Sequence, residues 1–131
     1  MSQEKMKKLT LAQAVERARQ SSDDKVQLFD VESDLLGLAL PCRRMQVDKV
    51  LGFMDDASGD LTIKKNVDFF CQLILKHVPI LQDEEFQKGH ATPVLAIKAL
   101  FHDNVGEIIR VGEKILGQYG MGDLDKIVKN S

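Results

Sequence analysis

Apolar residues recur along this chain with two different periods. Leu11, Ala14, Val15 and Ala18 fall on one side of a helical segment that Thr10 can open, with Gln13 completing a capping box. This apolar face is short and Ala-rich, so the helix is expected to dock weakly or to move. The period then drops to about two. Val26, Leu28 and Val31 set against Leu36, Leu38 and Leu40, on either side of "ESD", predict a β-hairpin whose second strand ends at Pro41. The competing reading of this stretch is irregular coil with a hydrophobic anchor. Helical spacing returns at Val47, Val50, Leu51 and Met54, with Gly52 weakening that helix without stopping it.

"TIKKNVDFFCQLILKHV" predicts the strongest helix. Ile63, Val67, Phe70, Cys71, Ile74 and Val78 share one face, and Phe69, Leu73 and Leu75 widen it. Lys65, Asp68, Gln72 and Lys76 form the polar strip, so the arc belongs to a central helix packed on several sides. His77, inside the arc near the helix end, is expected to bond a terminal carbonyl or cap the core, and Pro79 stops the helix. "ILQDEEFQKGHA" reads as a link with one helical turn, its Asp83, Glu84 and Glu85 a solvated face. Thr92 and Pro93 mark the next helix start.

From Asn104 the stripe is Val105, Ile108, Ile109, Val111, Ile115, Leu116 and Tyr119. Glu107, Arg110, Glu113, Lys114 and Gln118 lie opposite. Gly112 falls on the apolar side, where close approach of another helix would justify it, and Gly120 supplies the stop. The whole predicts a mainly α fold, one compact helical domain over residues 1–131 of about five helices with an N-terminal β-hairpin, and flexible tails at 1–8 and 122–131.

Composition narrows the function. The 131 residues are 44% hydrophobic and 29% charged with a net charge of −2, as in a folded globular domain and without the basic stripe of a nucleic-acid binder. Few aromatics and no Trp leave an aliphatic core. Cys42 and Cys71 form no CxxC pair and fit a reducing cytoplasm, Cys71 as an inert core thiol. No apolar run approaches the ~20 residues that span a bilayer, so no membrane partner is expected.

"MDDASGDL", Met54–Leu61, carries the oxygen-rich look of a calcium loop. An EF-hand needs oxygen ligands at its first and twelfth positions and glycine at its sixth. Placing Gly59 sixth puts Met54 first and Lys65 twelfth; starting from Asp56 puts Leu61 sixth and Val67 twelfth. Neither register works, so the stretch reads as helix exit, turn and entry, with Asp60 or Thr62 capping the next helix. Phosphate-binding, zinc-protease and nucleophile-elbow motifs are absent, and His90 and His102 have no partner at ligand spacing. No catalytic residue, cofactor or metal is expected.

"FFCQLILKHVPILQDEEFQ", followed by "TPVLAIKALFHDNVGEIIRVGEKILGQYGM", resembles the XkdN-like tail assembly chaperones of phages and prophages of Gram-positive bacteria. The features that carry it are the helix ending in "KHVPIL", the acidic link, the "VGEI" helix start and the "GQYGM" stop, over about Met45 to Met121. The resemblance implies a small, mostly helical, non-enzymatic protein of the host bacterial cytoplasm. It implies a partner, the tape measure protein, escorted before the tail tube polymerises, and in related systems a longer frameshifted product. A small helical adaptor or regulatory protein-interaction domain is the alternative. The two long helices carry more aliphatic surface than a short bundle readily hides. An edge between them is therefore expected to serve self-association or the client, with Phe69, Leu73 and Val111 as candidates.

Overall fold

The computed structural model describes residues 6–22, 27–57 and 62–121. Helix α1 (Leu11–Ser22) leads into strands β1 (Leu28–Ser33) and β2 (Leu38–Arg43). Helices α2 (Val47–Ala57) and α3 (Ile63–His77) follow, then a 3-10 turn (Pro79–Gln82) and one-turn α4 (Glu84–Gln87). Helices α5 (Pro93–Leu100) and α6 (Val105–Gly117) complete the order. The fold is mainly helical with a small antiparallel hairpin, as the periodicity predicts.

The starts are set by side chains. Thr10 and Gln13 form the reciprocal capping box of α1: Thr10 N–H donates to Gln13 Oε1 (3.1 Å) and Gln13 N–H to Thr10 Oγ1 (3.2 Å). Thr62 caps α3 by accepting from Lys65 N–H at 3.2 Å, and Thr92 caps α5 by accepting from Leu95 N–H at 3.2 Å. At the far end of α6, Gly120 takes φ +76°, the left-handed conformation that ends a helix at little cost to glycine.

Pro41 does not end the second strand; β2 continues through it to Arg43. In the hairpin register Asp30 faces Pro41, and Arg44 N–H donates to Gln27 O at 2.8 Å. Hydrogen-bonded pairs alternate from there, so the nitrogen of Pro41 points away from β1 and the ladder loses nothing.

Helix α3 is the hub. It packs most extensively on α6, then α5, and also touches α2 and the 3-10 turn. The core gathers Val67, Phe70, Leu73 and Ile74 of α3, Ile97 and Phe101 around α5, and Ile108, Val111, Ile115 and Leu116 of α6. Gly112 makes the α3–α6 contact possible: a Cβ there would lie 2.3 Å from Phe70 Cδ1. Val67 and Ile108 meet at one end of this pair, Phe70 and Gly112 in the middle, and His77 and Tyr119 at the other. The two helices therefore run in the same direction.

Two buried polar contacts join the hairpin and the helix ends. Glu107 stands at 2% exposure rather than on the solvent face of α6 that its spacing suggests. Its Oε2 accepts from Ser33 Oγ (2.7 Å) and Leu35 N–H (3.0 Å), and its Oε1 accepts from Arg110. The Ser33 and Leu35 bonds, with Arg110 assisting, hold the Glu107 carboxyl below its ordinary range against the opposing effect of burial. At the other end, the geometry settles the proton of fully buried His77: Nδ1–H donates to Leu73 O (2.8 Å), leaving Nε2 to accept from the Tyr119 hydroxyl (2.8 Å). That hydroxyl in turn accepts from Met45 N–H at 2.8 Å. One hydrogen-bonded chain thus fastens the link after β2 to the C-terminal ends of α3 and α6.

Candidate functional site

The edge expected between the α3 arc and the α6 stripe exists, but at other residues. Leu73 is 1% exposed and Val111 is 0% exposed, so neither offers a surface. Both belong to the core cluster that also takes in Phe70, the residue against Gly112. Phe69 is half-buried and occupied: its ring stacks on Phe53 of α2 (centroids 5.0 Å apart, planes at 19°) and meets Phe70 edge-on (5.3 Å, 68°). It holds α2 to α3.

The open part lies at the N-terminal ends of α3 and α6. A groove of about 430 Å³ runs between them, lined by Ile63, Lys64, Val67, Lys98, Asp103, Val105 and Ile108. Val67 and Ile108 are buried and form its floor; Ile63 (85% exposed) and Val105 (46% exposed) form its apolar shoulders. Ile63 thus points to solvent, although its spacing puts it on the core face of α3. Ile63 is the first helical residue after the extended Thr62 cap, and this first turn overhangs its neighbours. The same position explains Val105, one residue after the Asn104 cap that accepts from Glu107 N–H at 3.0 Å. Their shared place just after two caps was the signal available in the sequence.

The rim carries both signs of charge. His102 and Asp103 turn the chain from α5 into α6 with φ of 55° and 57°, a left-handed corner uncommon outside glycine. Asp103 N–H donates back to Lys98 O at 2.8 Å, closing α5 and setting Asp103 beside Val105. Lys98 Nζ lies 2.7 Å from Asp68 Oδ1, and Lys64 Nζ lies 3.5 Å from Asp68 Oδ2. The hydrogen bond from Lys98 keeps the Asp68 carboxyl below its ordinary range and holds the Lys98 ammonium above its own. Asp68 therefore partly neutralises two cations, and the groove presents an apolar floor under a mixed, weakly charged rim.

Burial pushes the Cys42 thiol up to about 12 and the Cys71 thiol up to about 11, so both stay protonated and poorly nucleophilic at neutral pH. Among the described residues no cluster of His, Cys, Asp and Glu could hold a metal ion. Residues 58–61 of the oxygen-rich stretch lie outside the described residues. Likewise no described helix is long and apolar enough to cross a membrane.

The hairpin is a poor template for strand addition. Pro41 removes a donor from the outer edge of β2, and on the outer edge of β1 the Glu32 carbonyl is taken by Lys114 Nζ at 2.9 Å. The groove between the helix ends is concave and apolar at its floor. No protein-family model, no curated protein and no solved structure matches the chain.

Proposed function

We propose that this chain is a protein-binding module that recognises an amphipathic helical segment of a partner. Within that class it acts as a phage tail assembly chaperone, and its client is the tape measure protein. The observation that carries the reading is the groove between the first turns of α3 and α6. Its floor of Val67 and Ile108 and its shoulders Ile63 and Val105 suit the apolar face of one helix, with Lys64, Lys98 and Asp103 placed to meet polar flanks. The blunted hairpin edges favour this mode over strand addition. A long helical client with little sequence-specific chemistry needs a shallow apolar surface rather than a closed pocket. The phage assignment rests on the resemblance over about Met45 to Met121.

The test is co-expression with the tape measure protein encoded nearby, followed by co-purification. Ile63→Asp and Val105→Asp are expected to abolish capture without unfolding the chaperone. An acidic side chain in the first turn is favourable to a helix, and both positions are open to solvent. Failure of the unaltered protein to capture a soluble, folded tape measure protein would overturn the chaperone reading. Capture unaffected by either substitution would overturn the groove.

A further inference from the structure

The two walls of the groove between α3 and α6 carry opposite charges. On the α3 wall the apolar shoulder Ile63 stands next to Lys64; on the α6 wall the shoulder Val105 follows Asp103 by two residues. Lys98 also lines the groove but is already committed, its Nζ holding Asp68 Oδ1 at 2.7 Å. Lys64 reaches the same carboxylate only at 3.5 Å and keeps 82% of its side chain exposed. Asp103 is exposed and has no ion pair among the described residues. One cation and one anion thus stand on opposite walls, each beside an apolar shoulder.

The fold gives only a partial account of these charges. Lys64 lies in the first turn of α3, which carries no acidic residue, and the positive end of a helix disfavours a cation there. Its i, i+4 partner Asp68 follows it in the chain, the weaker order for such a pair. Asp103 takes φ 57°, a conformation that costs an aspartate more than a glycine. Its charge ahead of α6 does favour that helix, so of the two it is Lys64 that points more plainly to an outside partner.

We infer that the groove selects a client helix whose apolar stripe is flanked by opposite charges: a carboxylate on one flank for Lys64, and an ammonium or guanidinium on the other for Asp103. This rests on the helix-in-groove reading above and adds the chemistry of the partner to it. Ile63 and Val105 bound the apolar floor, so the flanks of a helix seated between them fall beside Lys64 and Asp103. Turning a helix end for end exchanges its flanks. The same two charges therefore also set the direction in which the client lies. Exposed pairs of this kind add little affinity and act mainly as a filter against wrongly charged helices.

Three synthetic peptides of matched helicity test this, all sharing one leucine stripe at i, i+3, i+4 and i+7. One carries Glu along one flank and Lys along the other, one carries Glu on both flanks, and one carries Lys on both. Fluorescence anisotropy of each labelled peptide against the full chain gives its dissociation constant. At low salt the mixed peptide should bind about two- to fivefold more tightly than either uniform one, the weight of one exposed ion pair. The difference should shrink at high salt. Lys64→Gln and Asp103→Asn should each remove part of the preference. Lys64→Gln should do so with Tm unchanged or raised, which a merely structural role would not give. Asp103→Lys should turn the preference to the all-Glu peptide, and Lys64→Glu to the all-Lys peptide. Equal binding of the three peptides, lost in Ile63→Asp, overturns the charge selection and leaves the groove standing. So does a preference that these variants do not move. Binding that Ile63→Asp does not touch, or no binding by any peptide, overturns the groove reading and this inference with it.

Discussion

Replacing Gly112 by Ala sets two effects of opposite sign against each other. Inside a helix, Ala is favoured over Gly by about 0.8–1 kcal/mol. At Gly112, however, the new Cβ would lie 2.3 Å from Phe70 Cδ1 and 3.1 Å from both Cγ and Cε1 of the same ring. Carbon atoms prefer to sit about 3.5–4.0 Å apart, so helix or ring must give way by more than an ångström. Phe70 cannot swing out freely, being 8% exposed with Phe69 edge-on to it at 5.3 Å. Overpacking of this kind costs about 1–3 kcal/mol, occasionally more. A clash this deep belongs in the upper part of that range, about 2–3 kcal/mol, so it wins and Gly112→Ala should destabilise by about 1–2 kcal/mol net. At roughly 4 °C per kcal/mol for a domain of this size, Tm falls by about 4–8 °C. Gly52 supplies the control, since a Cβ there meets nothing within 4 Å. Gly52→Ala should stabilise by up to about 1 kcal/mol. Urea denaturation followed by circular dichroism at the helix band measures both. Phe70→Leu in the Gly112→Ala background should recover part of the loss, a coupling that a double-mutant cycle isolates. If Gly112→Ala were as stable as the unaltered protein while Gly52→Ala gained stability, the close approach of α3 and α6 would be refuted.

Leu73→Asp and Val111→Asp should unfold the protein or cost several kcal/mol, because each would place an unpaired carboxylate among fully buried aliphatic side chains; a folded, near-native variant by circular dichroism would contradict the packing. Burial holds the His77 imidazole below its ordinary value of 6.5, so on acidification the unfolded chain takes up a proton that the folded one resists. Stability should therefore fall as pH drops below about 6.5, and His77→Gln, though less stable at neutral pH, should lose that part of the slope. Glu107 and Asp68 are depressed carboxylates, whose contribution is present above the unfolded carboxylate range and is lost as pH falls through their folded values, giving a second, more acidic decline. Glu107→Gln, measured by urea denaturation, should flatten that second decline. Calcium or EDTA should leave Tm unchanged; a shift of several degrees reversed by chelation would show that "MDDASGDL" binds metal after all.

Local chemistry alone was enough for much of this architecture. The capping box of Thr10 and Gln13, the caps at Thr62 and Thr92, the stop at Gly120 and the wide arc of α3 depend on side chains within a turn or two of each other. Periodicity reports such relations directly. Gly112 was legible for a related reason: a glycine in the apolar stripe of a helix has few explanations other than a close neighbour. What periodicity cannot report is which part of a stripe meets a partner and which part overhangs it. Leu73 and Ile63 read alike on the α3 arc, yet one is buried in the core and the other stands 85% exposed. The difference comes from where along their length two parallel helices touch. Glu107 reads as a solvent residue until Ser33 and the Leu35 amide, more than seventy positions away in the chain, bring it the donors that make its burial tolerable. Pro41 reads as a strand stop until the hairpin register turns its nitrogen outward. In each case the deciding atoms belong to a distant segment. The sequence by itself determined the helices and their caps, because those depend on neighbours within a turn, and only the tertiary structure decided where β2 ended and which apolar faces stayed exposed.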